Sequence, residues 1–120
     1  MTNYRLSNSQ PGKYGMSRHD LQIKLDDIGA KHGMLVYYQP PSDVKMRYPC
    51  IVYDDAGIRT MRANNKAYVL HQGYEITIIT SDPYDRTELE VLDAVNYGDL
   101  ERKFVNDNLY HKVVTCYEIY

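Results

Sequence analysis

The sequence contains no tryptophan and a single phenylalanine in 120 residues, so thirteen tyrosines carry nearly all of its aromatic surface. Rings that end in a hydroxyl suit half-wet contact surfaces, because the apolar body is buried while the oxygen keeps a partner. Cysteine is also scarce. Cys50 and Cys116 each lie inside an apolar, strand-like run, where a free thiol acts as a small hydrophobe; a disulfide-built scaffold is excluded and a bridge between the two is not expected. Neither sign of charge is in excess, with 14 Lys and Arg against 16 Asp and Glu, a formal net charge of -2 and a pI near 6.0. The chain therefore has no general basic field to attract nucleic acid. Long hydrophobic runs are missing as well: the apolar stretches are short, and the opening MTNYRLSNSQPGKYG lacks the apolar core of a signal peptide. Neither a membrane span nor export is expected, and the protein should be made and kept in the cytoplasm.

The motifs that carry chemistry are absent too. There is no glycine-rich phosphate loop, no G-x-S-x-G, no H-E-x-x-H and no C-x-x-C, and His19, His32, His71 and His111 lack zinc-ligand spacing. Cys50 with His71 or His111 is the one conceivable nucleophile and base pair, set against the commoner fate of a strand cysteine as a core residue. Asp54 and Asp55, with Glu75, are the one conceivable acid-base or metal group. Neighbours in a strand point to opposite faces, however, so the two aspartates do not converge. No enzyme, cofactor or metal is expected.

What is present is ordinary globular material, 43% hydrophobic and 25% charged with a mean hydropathy of -0.56, enough to close one core. Residues 1–15 are polar, with Pro11, Gly12 and Gly15 and no periodicity, and read as a flexible arm ahead of a single domain over 16–120. A helix is predicted from Ser17, its N-cap, with Leu21, Leu25 and Ile28 on one face and Gly33 as its stop. The run MLVYY then forms a strand that ends at Gln39, Pro40 and Pro41, and CIVYDDAGIRT forms a second with a bulge or bend near Asp54, Asp55 and Gly57. After the polar turn RANNK, Tyr74, Ile76 and Ile78 alternate with Glu75 and Thr77 in a third strand. Asp85 or Thr87 caps a second helix that carries Leu89, Leu92 and Val95, and Tyr110, Lys112 and Val114 alternate with His111, Val113 and Thr115 in a closing strand. The order α-β-β-β-α-β predicts an α+β fold of two layers, a mostly antiparallel sheet of about four strands with two helices on one face.

Two features point to contact surfaces. The stretch 59–66, RTMRANNK, has three cations and no acid, and tyrosines cluster in or beside the strands. A basic loop of this kind suits an acidic partner surface, and edge-strand tyrosines suit a subunit contact. Taken in order, QPPSDVKMRYPCIVY, ANNKAY, YEITIITSDPYD and DNLYHKVVTCYEIY resemble a family of small proteins encoded among the structural genes of tailed bacteriophages, the tail terminator or tail-completion proteins. The resemblance covers about residues 17 to 120 and leaves the arm out. It implies a structural virion protein, an α/β subunit of a hexameric ring at the top of the tail. Its implied partners are copies of itself, the tail tube protein and a head-completion or connector protein, with DNA passing through the lumen without specific binding. A head-completion or stopper protein of the neck is the nearest alternative. A monomeric ferredoxin-like RNA-binding module is the next, although the basic-aromatic signature strand of such modules is missing.

A ring built by rotation needs two different, complementary patches on each subunit. The candidate interface residues are Tyr37, Tyr38 and Gln39 on the first strand, Arg59, Arg62, Asn64, Asn65 and Lys66 in the basic loop, and Tyr117 and Tyr120 on the terminal strand. The first and terminal strands are expected to be free edges completed by a neighbour. The basic loop is expected to point along the ring axis toward the tail tube or a neighbour, and the arm to become ordered only on a partner.

Overall fold

In the computed structural model, which describes residues 16–63 and 66–119, two helices cover one face of a five-stranded sheet. Helix α1, Met16–His32, forms because Leu21, Leu25 and Ile28 recur every three or four residues and so share one side; all three are buried. Each such aliphatic side chain contributes about 1.5–3 kcal/mol when fully buried. The helix already includes Met16 and Ser17, so Ser17 is not its cap. Gly33, with φ of 67°, ends it in the left-handed region, and the Met34 amide donates to the Gly29 carbonyl at 2.9 Å. The sequence-predicted arm lies outside the described residues. Among the described residues no helix is long and apolar enough to cross a membrane.

Strand β1, Leu35–Tyr38, pairs with β2, Cys50–Ala63, and the two are parallel. The strands flanking the Pro-Pro corner are thus not a hairpin. Gln39 leaves β1 with φ of 44°, a turn closes from Pro41 to Val44, and the connector 39–49 carries the chain back to re-enter in the same direction through a cis Tyr48–Pro49 peptide. Strand β3, Lys66–Thr80, runs antiparallel to β2. Its pairing shifts between Asp55 and Ile58, the bulge expected from the acidic pair and Gly57.

Helix α2, Thr87–Ala94, follows an Asp85 side chain that accepts the Thr87 amide at 3.1 Å and the Thr87 hydroxyl at 3.0 Å. Of the predicted stripe Leu89, Leu92 and Val95, Val95 is buried and Leu92 packs against the core, but Leu89 is 56% exposed. Thr87, Glu88 and Val91 point inward beside them. For Glu88 the cause is Lys112, a buried lysine whose ammonium meets Glu88 at 3.1 Å and also donates to the Asp85 carbonyl. A buried cation needs a carboxylate partner, so it rotates the acidic side of α2 inward.

The last two strands correct the predicted count. Strand β4, Asp99–Asn106, hairpins with β5, Leu109–Ile119, through Asp107 and Asn108, both at positive φ (53° and 62°), so the sheet has five strands rather than four. Two consecutive left-handed residues make the turn that suits strand twist. All of β4 is exposed and its polar sequence carries no alternation, which hid it from the pattern. The sheet order is β1-β2-β3-β5-β4. The rows Val36, Ile51, Ile78, Lys112 and Tyr38, Tyr53, Ile76, Val114 face the helices, and Tyr53 and Tyr74 are the largest fully buried side chains.

Candidate assembly interface

Strands β2 and β3 are longer than the sheet they belong to. Pairing of β1 ends at Tyr38 opposite Tyr53 and pairing of β5 ends at Ile119 opposite His71, yet β2 and β3 continue together to Ala63 opposite Lys66. The result is a two-stranded ribbon that reaches roughly 17 Å past the β5 pairing, from the rise of an extended strand. Arg59 and Arg62 lie on its outgoing strand and Lys66 begins its return, so the predicted basic loop is mostly strand. Asn64 and Asn65 lie outside the described residues. At the root of the ribbon Gly73 lies opposite Tyr117. A Cβ there would sit 2.8 Å from the Gly57 carbonyl oxygen and 3.0 Å from the Tyr117 ring. Only glycine lets the bulge and the ring close over this point.

The free edges differ from the prediction in one respect. The terminal strand β5 lies inside the sheet, between β3 and β4, because the unpredicted β4 folds back and covers it; the true edges are β1 and β4. Of the predicted tyrosines, Tyr37 is half-buried with its hydroxyl accepting the Arg47 amide at 3.1 Å. Tyr38 packs on Tyr53 at 4.8 Å and donates to Asp55 at 2.9 Å, with the Arg18 guanidinium 4.7 Å above its ring. Burial first, and then the Asp55 carboxylate, push its phenol above the ordinary value. Tyr117 is half-buried over Gly73, Gln39 is exposed at the end of β1, and Tyr120 lies outside the described residues. The structure does not bring the three predicted groups together: β1 and the ribbon lie apart, and Tyr117 serves the root of the ribbon.

Register places Asp54 opposite Glu75, Glu75 opposite Thr115 and Thr115 opposite Asp99, a row across the face away from the helices. Asp55 pairs with Tyr74 on the helix side, so the two aspartates do point apart as predicted. Glu101 adds a further carboxylate at the β4 irregularity. Arg102 meets Glu101 at 2.9 Å and Glu75 at 3.8 Å. Asp99 and Glu101 did not stand out in the sequence, because they lie on β4, whose exposed residues carry no alternation.

The two thiols are on opposite faces and both are free and buried. Burial pushes Cys50 up to about 11 and Cys116 up to about 12, the protonated, unreactive state of a core cysteine. Cys50 and His111 share a row with Ile79 between them, two strand spacings of roughly 4.8 Å apart, beyond hydrogen-bond reach. At the far end of β4 a cavity of about 340 Å³ opens beside Phe104 and His111, whose rings stack at 4.6 Å. Its most buried cation, Lys112, is already matched by Glu88. No protein-family model matches the chain, and comparison with curated proteins finds no similar sequence.

Proposed function

We propose that this protein is a structural subunit that assembles with its own copies into a ring, acting as a tail terminator of a tailed bacteriophage that caps the tail tube and joins it to the head. One observation carries this reading. A single subunit presents two different unfinished surfaces, a basic ribbon that outruns its sheet and the edge strand β4 at one margin of that sheet. Dissimilar patches on one subunit are what a heterologous contact repeated by rotation requires. The resemblance of the sequence to tail-completion proteins supplies the place of such a ring, and the finished location is then the virion neck. The partners are the tail tube protein on one side and a head-completion or connector protein on the other.

Light scattering and electron microscopy of the purified protein, alone and mixed with tail tubes, test this. A particle of several subunits that sits on tube ends is expected. A monomer at high concentration that leaves tubes uncapped ends the proposal. A ring that binds the connector and ignores the tube places the protein in the head-stopper role instead.

A further inference from the structure

We infer that the β4 edge of one copy is completed by the β2–β3 ribbon of a second copy, whose cations lie against the carboxylates gathered at the start of β4. The inference rests on the self-assembly part of the reading above and names its two surfaces. All eight residues of β4 are exposed, among them Phe104 at 41% and Val105 at 60%, with no proline to blunt the edge. Asp99, Glu101, Arg102, Lys103 and the irregularity after Leu100 guard its first part, and the exposed backbone around Phe104 and Val105 remains a template for another strand. The other edge, β1, is a poor template: it has four residues and runs into Gln39 at positive φ and then Pro40 and Pro41. The ribbon has the matching deficiency. Beyond His71 and Tyr53 its two strands pair only with each other among the described residues, so their outer backbone edges are open.

Charge selects the ribbon as occupant. Residues 59–70 hold Arg59, Arg62 and Lys66 and no acid, which against a total of -2 leaves the rest of the chain at -5. Part of that surplus lies near the beginning of β4, where Asp99 and Glu101 start the strand and Arg102 meets Glu101 and Glu75, and Asp54 carries the same row one strand beyond Glu75. Asp54 and Glu75 face each other directly across two strands, an arrangement of like charges that destabilises the subunit on its own. A cation from a neighbour relieves it. Since ribbon and β4 are different surfaces, every copy both gives and receives, and the contact propagates head to tail.

Sedimentation of the full chain at low and high salt, together with charge reversal, tests this. The wild type is expected to form an oligomer that salt loosens. Arg59→Glu with Arg62→Glu, and separately Glu75→Lys with Asp99→Lys, should each weaken self-association at least about tenfold, and all four together should restore it. Arg59→Gln with Arg62→Gln is the milder variant should a reversal fail to fold, with the same direction expected. Asp54→Asn should raise the melting temperature while weakening the oligomer, opposite signs that a merely structural acid would not give. A monomeric wild type ends the ring reading and this inference with it. An oligomeric wild type that is indifferent to both reversals, or a fourfold variant that stays dissociated, ends this inference alone.

Discussion

Tyr53 shows how a residue chosen for its hydroxyl is used inside the subunit. It is fully buried, accepts the Arg18 guanidinium at 3.2 Å and donates to Gln22, and its ring touches Tyr38 and, edge-on at 6.1 Å, Tyr74. Burial pushes its phenol up to about 12, with the nearby Arg18 pulling the other way. The sign follows from linkage. The unfolded tyrosine releases its proton near 10.0 while the folded one holds it to about 12, so the unfolded state binds fewer protons in that window. Stability is whole below it and falls as pH rises through it. Tyr53→Phe removes two hydroxyl contacts and should cost about 1 kcal/mol near neutral pH. It should also flatten the alkaline fall, which urea midpoints on either side of pH 10.0 will measure against the wild type. Cys50 and Cys116, raised by burial to about 11 and about 12, add a fall of the same sign that the substitution leaves in place.

Elements were readable where one face is dry and obscure where partners decide. Helix α1 announced itself through Leu21, Leu25 and Ile28, and the bulge through Asp54, Asp55 and Gly57, because periodicity and glycine act locally. On α2, Leu92 and Val95 were legible as core while the burial of Glu88 was not, since a lysine on another strand sets it, and β4 was hidden, since its only signal was the Asp107 and Asn108 turn. The parallel setting of β1 and β2 was equally hidden, as the connector 39–49 fits either direction. The root of the ribbon is the element on which the proposed interface depends most. Replacing Gly73 with alanine puts a methyl group 2.8 Å from the Gly57 carbonyl, a contact that backbone must yield to. The substitution should destabilise the fold by about 1–3 kcal/mol, with an unchanged denaturant slope, and should shift the ribbon relative to the sheet. Urea unfolding gives the first, and weaker self-association of the still-folded variant gives the second.

For the molecule as a whole, the proposed assembly surfaces and the core lie on different parts of one chain. Among the described side chains, the core cluster joins α1, α2 and the central sheet rows, from Leu21 and Val91 to Tyr74 and Cys116. Charge divides along the same line, three cations and no acid on the ribbon against the acidic remainder. The ribbon pairs beyond the reach of β1 and β5, and such an extension can be lost without unfolding the rest. Excising residues 61–69 and joining Thr60 to Leu70, which are register partners, through a two-residue Asn-Gly turn preserves the hairpin geometry while removing its outer end. The shortened protein should keep its far-ultraviolet circular dichroism and a melting temperature within a few degrees of the full chain, and should run as a monomer by light scattering under conditions where the full chain is oligomeric. Loss of the fold would mean that the ribbon stabilises the subunit itself, and an oligomer of undiminished size would move the contact to another surface.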